Sequence, residues 1–344
     1  MRLRAALGSI ALLGMLGFAS TASAGLMQMS DLFVFGDSLS DGGNSGIVSR
    51  AATGGTFTFP PPPYYNGQFS NGPVAVEYLW NLYNPSMPFA LRPSLSGGTN
   101  YAIGGATTGI ENFLSVNPTA GPLQPAYNQL GAQWQLNTFA AQAPAFDPAT
   151  SLFVVWLFPN DVFYAQQTGN LPGHVNGSPG GPNLVANGIA NILTTIQTLA
   201  AMGAEHFLVP NMPDLGTTPE GLGMSPADAA LLSALSHAFD ANLAAALTAL
   251  DAALPAEIVQ IDVATILASI EANPAAYGYT NTTEACISNL QNGRCNPSNW
   301  DSWLFWDGVH PTTSTHEYLA MQFAAAVPEP ASAALLVLVA LPGV

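Results

Sequence analysis

The amino-acid sequence predicts an α/β protein of three layers, a mostly parallel sheet held between two layers of helices. Three observations lead there. Short runs of β-forming residues recur along the chain, each flanked by a longer Ala- or Leu-rich stretch with room for a helix, and that alternation implies a parallel sheet. The strand candidates are largely apolar, as strands covered on both faces must be. The composition, 49% hydrophobic with 33 glycines and 28 prolines in 344 residues, is that of a globular chain with many tight turns.

The first strand candidate, Leu32 to Phe35, stops abruptly at Gly36-Asp37-Ser38 and reads as buried. Leu152 to Phe158, His206 to Val209 and Ile258 to Val263 repeat its form. Helices are expected over Pro73 to Leu82, Tyr127 to Ala141, Leu184 to Met202, Pro226 to Leu254 and Ser314 to Ala326, with breaks at Gly203 and Pro255. Two stretches read as surface loops: Thr53 to Asn71, with consecutive prolines at 60 to 63, and Gly169 to Gly181. The first follows the first strand, and loops beyond the carboxyl ends of parallel strands commonly build ligand sites.

The first 24 residues read as a leader rather than as fold. Arg2 and Arg4 precede an apolar run from Ala5 to Ala19, and Ala22-Ser23-Ala24 offers the small residues a signal peptidase accepts. The run is short for a membrane anchor and is broken by Gly8, Gly14 and Gly17. Its removal would leave three arginines against 21 acidic residues, a formal charge near −18. Export suits the cysteines. Only Cys286 and Cys295 occur, with eight residues between them, and in an oxidising compartment such a pair is expected to bridge.

The charge also excludes functions. No lysine occurs, which removes phosphate loops of the Walker type, Schiff-base lysines and lysine general bases. A chain with five scattered arginines and a formal charge of −16 would be repelled by a phosphate backbone, so no nucleic-acid partner is expected. His-Glu-x-x-His and Gly-x-Gly-x-x-Gly are absent, and Gly36-Asp37-Ser38-Leu39-Ser40 lacks the second glycine of the Gly-x-Ser-x-Gly elbow. What remains is Ser38 near one end of the chain and Asp307-Gly308-Val309-His310 near the other. One turn can present that carboxylate and imidazole to the same pocket, the Asp accepting from one ring nitrogen while the other faces a serine.

Across most of the chain the order of motifs resembles the GDSL (SGNH-type) lipases and esterases. The first block is similar to Phe35-Gly36-Asp37-Ser38-Leu39-Ser40-Asp41 with Asn44, and the segment after it to Gln68 through Pro73 and Val76 through Leu79. Asn100-Tyr101-Ala102-Ile103-Gly104-Gly105-Ala106 resembles the second block and Asn160-Asp161 the third. Asn211 through Gly216 and Phe305 through Thr312 complete the order. The resemblance implies a flavodoxin-like α/β/α fold and a carboxylic-ester hydrolase that needs no metal or organic cofactor. It implies Ser38 as nucleophile, His310 as general base and then acid, and Asp307 as its orienter. The oxyanion would be held by the backbone N–H groups of Ser38 and Gly105 and the amide of Asn160, with Asp37, Asp41, Asn44 and Asp161 supporting the turns.

The chain departs from the family at Phe158-Pro159, where glycine usually stands two residues before the Asn. Phenylalanine adopts positive φ only at a cost, and Pro159 biases it towards extended geometry. For substrate, the aromatics Phe57, Phe59, Tyr64, Tyr65 and Phe69 could line an acyl pocket. A lipid or short-chain acyl ester is expected first, and an acetylated polysaccharide second. The rival from another class is a non-catalytic surface or matrix protein on the same scaffold. Val327-Pro328-Glu329-Pro330, with the apolar run Ala331 to Leu341, resembles the PEP-CTERM sorting signal of Gram-negative bacteria, although the run is too short to span a bilayer and no arginine follows it. The expected organisation is therefore a signal peptide over 1–24, a hydrolase domain over 25–326 and a sorting tail over 327–344. The expected location is periplasmic, cell-surface or extracellular, with transient membrane contact through the tail.

Overall fold

The structure, a computed structural model, describes residues 29–327. The leader and the apolar run after Pro330 lie outside the described residues. In chain order the elements are β1 (Asp31–Gly36), α1 (Asn44–Ala52), α2 (Ala75–Tyr83), α3 (Ala132–Gln142), β2 (Ser151–Trp156), α4 (Pro159–Thr168), α5 (Leu184–Ala201) and β3 (His206–Pro210). Then come α6 (Pro219–Leu222), α7 (Pro226–Asp251), β4 (Glu257–Ile261), α8 (Val263–Ala272), β5 (Asn281–Ala285), β6 (Trp303–Phe305) and α9 (Thr313–Ala326). Strands β1 to β4 form one parallel sheet in sequential order, and β5 pairs with β6 in a small second sheet.

Because side chains alternate across a strand, the central sheet builds two cores. Phe33, Phe35, Phe153, Val155, Phe207 and Val209 meet α3, α5 and α7 on one face. Leu32, Val34, Leu152, Val154, Trp156 and Leu208 meet α2, α8 and α9 on the other. Register sets Phe33 opposite Phe153 and Phe153 opposite Phe207, so the first core carries an aromatic ladder with centroids 4.8 and 5.8 Å apart. Helix α7 shows the matching pattern. Its buried residues Leu232, Ser236, Phe239, Leu243, Leu247 and Leu250 fall three or four apart, and Ser225 caps it by accepting from the Asp228 N–H while Pro226 opens its first turn.

The expected three layers and strands are therefore present, and the differences lie at boundaries, in polar elements and at α8, an apolar helix that is not among those expected because it follows β4 with only Asp262 between them. The strand expected to reach Val263 ends at Ile261, because Asp262 accepts from the Thr265 N–H and starts α8. The helix expected from Tyr127 begins at Ala132. The preceding Pro118–Tyr127 is a kinked 3-10 segment holding Pro122 and Pro125. Helices α1 and α4 lack a long apolar stripe and β5 is largely polar, so periodicity did not reveal them. Val327, the first residue of the expected tail, is buried with α9 in the second core.

Cys286 and Cys295 meet with Cα atoms 5.3 Å apart and their sulfurs in bonding contact. They are buried with Trp303 and Trp306 in a third cluster, and the N–H groups of Cys286 and Ile287 donate to the carbonyls of Phe305 and Trp306. The pair thus braces the segment that leads into Asp307. Closing a loop of this size contributes roughly 2–3 kcal/mol in the chain-entropy model. Thiol titration of the unfolded, unreduced protein is expected to find no free thiol; two free thiols would remove the brace from the account.

Candidate active site

The last residue of strand β1, Gly36, still pairs with Trp156 and is also held by a side chain. Gln135 of α3 accepts from the Gly36 N–H and donates to the Gly36 carbonyl, at 2.8 and 2.7 Å. The chain then turns. Asp37 accepts from the Leu39 N–H at 3.0 Å, and Asp41 accepts from the N–H groups of Gly43, Asn44, Ser45 and Gly104. Asn44 and Asn100 tie this turn to the neighbouring segment, Asn44 donating to the carbonyls of Asn100 and Ala102 and Asn100 to that of Ser40. Ser38 is held at the apex of a turn with little freedom.

The imidazole arrives from the loop between β6 and α9. Asp307 accepts from the N–H groups of Val309 and His310, at 2.9 and 2.8 Å, and this local turn folds the ring back onto its own carboxylate. His310 Nδ1 lies 2.7 Å from Asp307 Oδ2, and Nε2 lies 2.7 Å from Ser38 Oγ. The tautomer that satisfies both contacts carries its proton on Nδ1 and accepts from the serine at Nε2. Burial alone would lower the basicity of His310, but the charge and hydrogen bond of Asp307, with the charges of Asp37 and Glu220, raise its pKa above the ordinary 6.5. Burial would raise Asp307, yet the imidazole and the two N–H donors hold it below its ordinary value. Asp37 is pushed up to about 7 by burial, which the Leu39 N–H and the nearby imidazole offset only in part.

Of the two glycines, Gly104 donates its N–H to Asp41 and to Ser45, whereas Gly105 lines the cavity beside Ser38. Gly105 sits at φ +79°, and a Cβ there would stand 2.4 Å from Asn112 Oδ1, so only glycine fits. Asn160, buried in the first turn of α4, lines the same cavity. Its neighbour Asp161 accepts from the Thr108 N–H and hydroxyl, which ties α4 to the segment carrying Gly105.

Phe158 does not take the extended geometry that Pro159 favours; it sits at φ +135°, the left-handed side that glycine would occupy cheaply. Packing holds it there. Its ring stacks on Phe239 at 3.8 Å and 6°, in a space that exists because residue 188 is glycine, where a Cβ would come within 2.4 Å of the ring. Asn160 therefore keeps its register on the cavity despite the change before it.

The cavity holds about 590 Å³. Phe59, Tyr64 and Phe69 of the proline-rich loop wall it, joined by Phe113, Leu114 and Phe163, whereas Phe57 and Tyr65 are exposed and are not part of the lining. Two neighbours of the site escaped sequence reasoning in this role. Tyr64 donates its hydroxyl to Asp307 Oδ2 at 2.7 Å, across 243 positions of chain that no local window spans. Glu220 of α6 lines the cavity and donates its N–H to the Gly308 carbonyl at 2.8 Å.

Fold and site together define a class of protein: a parallel α/β sheet whose first strand delivers a serine hydroxyl to an imidazole carried in by the last loop. Residues 32–323 match the family model of the GDSL-like lipase/acylhydrolases, and the chain belongs to that family. Among curated relatives it is 26% identical to a phosphatidylcholine-sterol acyltransferase of Aeromonas hydrophila, over 90% of this chain and 94% of that protein. It is 26% identical to a GDSL esterase/lipase of Arabidopsis thaliana, over 86% of this chain and 85% of the relative. A thermolabile hemolysin of Vibrio parahaemolyticus is 24% identical over 85% of this chain and 62% of its own length.

Proposed function

We propose that the protein is an exported carboxylic-ester hydrolase that forms an acyl-enzyme on Ser38. The observation that carries this is the unbroken chain of hydrogen bonds from Ser38 Oγ through His310 to Asp307, opening on a cavity with aromatic walls. Ser38 Oγ attacks the ester carbonyl carbon while His310 Nε2 takes its proton. The tetrahedral oxyanion is received by the N–H groups of Ser38 and Gly105 and the amide of Asn160, neutral donors that leave the charge of the site unchanged. Collapse breaks the ester C–O bond, and His310 returns the proton to the departing alcohol oxygen. Water then repeats the sequence on the acyl-enzyme, releasing the acid and restoring Ser38.

The apolar wall of Phe59, Phe69, Phe113, Leu114 and Phe163 favours a lipid or other acyl ester over an acetylated polysaccharide, since it offers an acyl chain apolar contact and few partners for sugar hydroxyls. The Aeromonas relative is named for phosphatidylcholine and sterol, which suits the same class of substrate. Export rests on residues 1–24 and the cysteine pair, and the catalytic domain is taken as 25–326 with Val327 packed onto its core. Hydrolysis of p-nitrophenyl esters of graded chain length tests the reading, with Ser38→Ala measured beside the native protein. Turnover that peaks at a chain longer than acetyl and vanishes in the variant is expected. No turnover with any ester would favour the non-catalytic reading.

His310 must be neutral to accept the serine proton, so kcat/KM is expected to rise with pH and level off above the His310 pKa. That pKa is raised, so the limb should lie above 6.5, the ordinary imidazole value. Asp37 titrates nearby, at about 7, and the two groups will share the limb. A pH series of kcat/KM checks this, and a limb well below 6.5 would mean that Asp307 does not act on the ring.

A further inference from the structure

We propose that Tyr64 is a positioning residue for Asp307, fixing the carboxylate that orients His310. The inference rests on the reading of Ser38, His310 and Asp307 given above. The carboxylate is held from two sides. Oδ1 accepts from the N–H groups of Val309 and His310, which belong to its own turn, while Oδ2 faces His310 Nδ1 and accepts from the Tyr64 hydroxyl. Without the phenol, nothing outside residues 307–310 would hydrogen-bond this carboxylate among the described contacts.

The loop that delivers Tyr64 is itself fastened to the histidine loop. Ser70 donates to the Pro311 carbonyl at 2.9 Å, and Asn71 accepts from the Thr313 N–H at 2.8 Å. The Tyr64 ring packs edge-on against Phe69 and Trp306, and Phe69 in turn lies 5.2 Å from the His310 ring. Burial and the charge of Asp307 raise the phenol pKa far above its ordinary value, so the hydroxyl remains a donor at every working pH. Residues that wall the acyl pocket and the residue that steadies the acid thus lie on one loop.

The phenol draws charge from Asp307, so its loss leaves more negative charge facing the imidazole and raises the pKa of His310. The other charged or titratable groups acting on that imidazole are Asp37 from the turn after β1 and Glu220 from α6, and His316 of α9 couples to it in turn. None of them is altered by a change at position 64. Tyr64→Phe keeps the ring and its packing. It is expected to lower kcat about tenfold with KM nearly unchanged, less than the ~10²-fold expected when a catalytic group is misplaced by 1 Å. It should also move the acid limb of kcat/KM upward and shift the proton resonance of His310 Nδ1–H. Should that variant fold poorly, 3-fluorotyrosine at position 64 keeps the ring and makes the hydroxyl a stronger donor, so the limb should move downward. Unchanged kcat, limb and resonance in a folded Tyr64→Phe protein overturn the inference, as does an unmoved limb with fluorotyrosine. Full activity in Ser38→Ala would instead overturn the reading of the site itself, and the two failures are distinguishable.

Discussion

Ser38→Ala and His310→Ala should each reduce ester turnover to background, a loss on the order of 10⁶ in a triad whose members act as one unit. The physical reason is the geometry. With 2.7 Å between Ser38 Oγ and His310 Nε2, the proposed mechanism has the proton leave the nucleophile as the bond to carbon forms, and no second serine or histidine is among the described residues that line the cavity. The double variant should be scarcely worse than either single one. Asp307→Asn should keep more activity than these, because it retains the turn but favours the wrong tautomer of His310. Single-turnover kinetics with a p-nitrophenyl ester measures all four. A Ser38→Ala protein with native turnover would remove the mechanism.

The second large effect is expected at Asn160. Replacing it by alanine should lower kcat by about 10² to 10³, the usual consequence of removing one oxyanion donor, with little change in KM. The expectation depends on Phe158, since a backbone forced to φ +135° keeps its register only while the ring stays stacked on Phe239 beside Gly188. If turnover is untouched in Asn160→Ala, the oxyanion is held by two backbone donors alone. Ser38, His310 and Asp307 would keep their roles.

Much of this site is legible in the sequence, because its residues sit on turns whose backbone demands are local. Gly36-Asp37-Ser38 ends a buried strand, Asp307-Gly308-Val309-His310 closes on its own carboxylate, and Gly105 stands where only glycine fits. Distant contacts are not legible in the same way. Tyr64 could be seen as a wall aromatic but not as the partner of Asp307, and the φ of Phe158 depends on packing against Phe239, 81 positions further on. The same holds for the fold. Apolar strands and the long Ala- and Leu-rich run of α7 declare themselves, whereas α1 and α4 are short and scarcely apolar on average, β5 is largely polar, and α8 merges with the apolar run of β4 that precedes it.

The central claim is that an acyl group passes through Ser38, and trapping that intermediate tests it most directly. The native protein, mixed with an activated ester and quenched within its first turnovers, should gain the mass of one acyl group on the peptide that contains Ser38, and the gain should disappear in Ser38→Ala. An acyl group found on another residue, or ester hydrolysis that persists in Ser38→Ala without any adduct, would contradict the account.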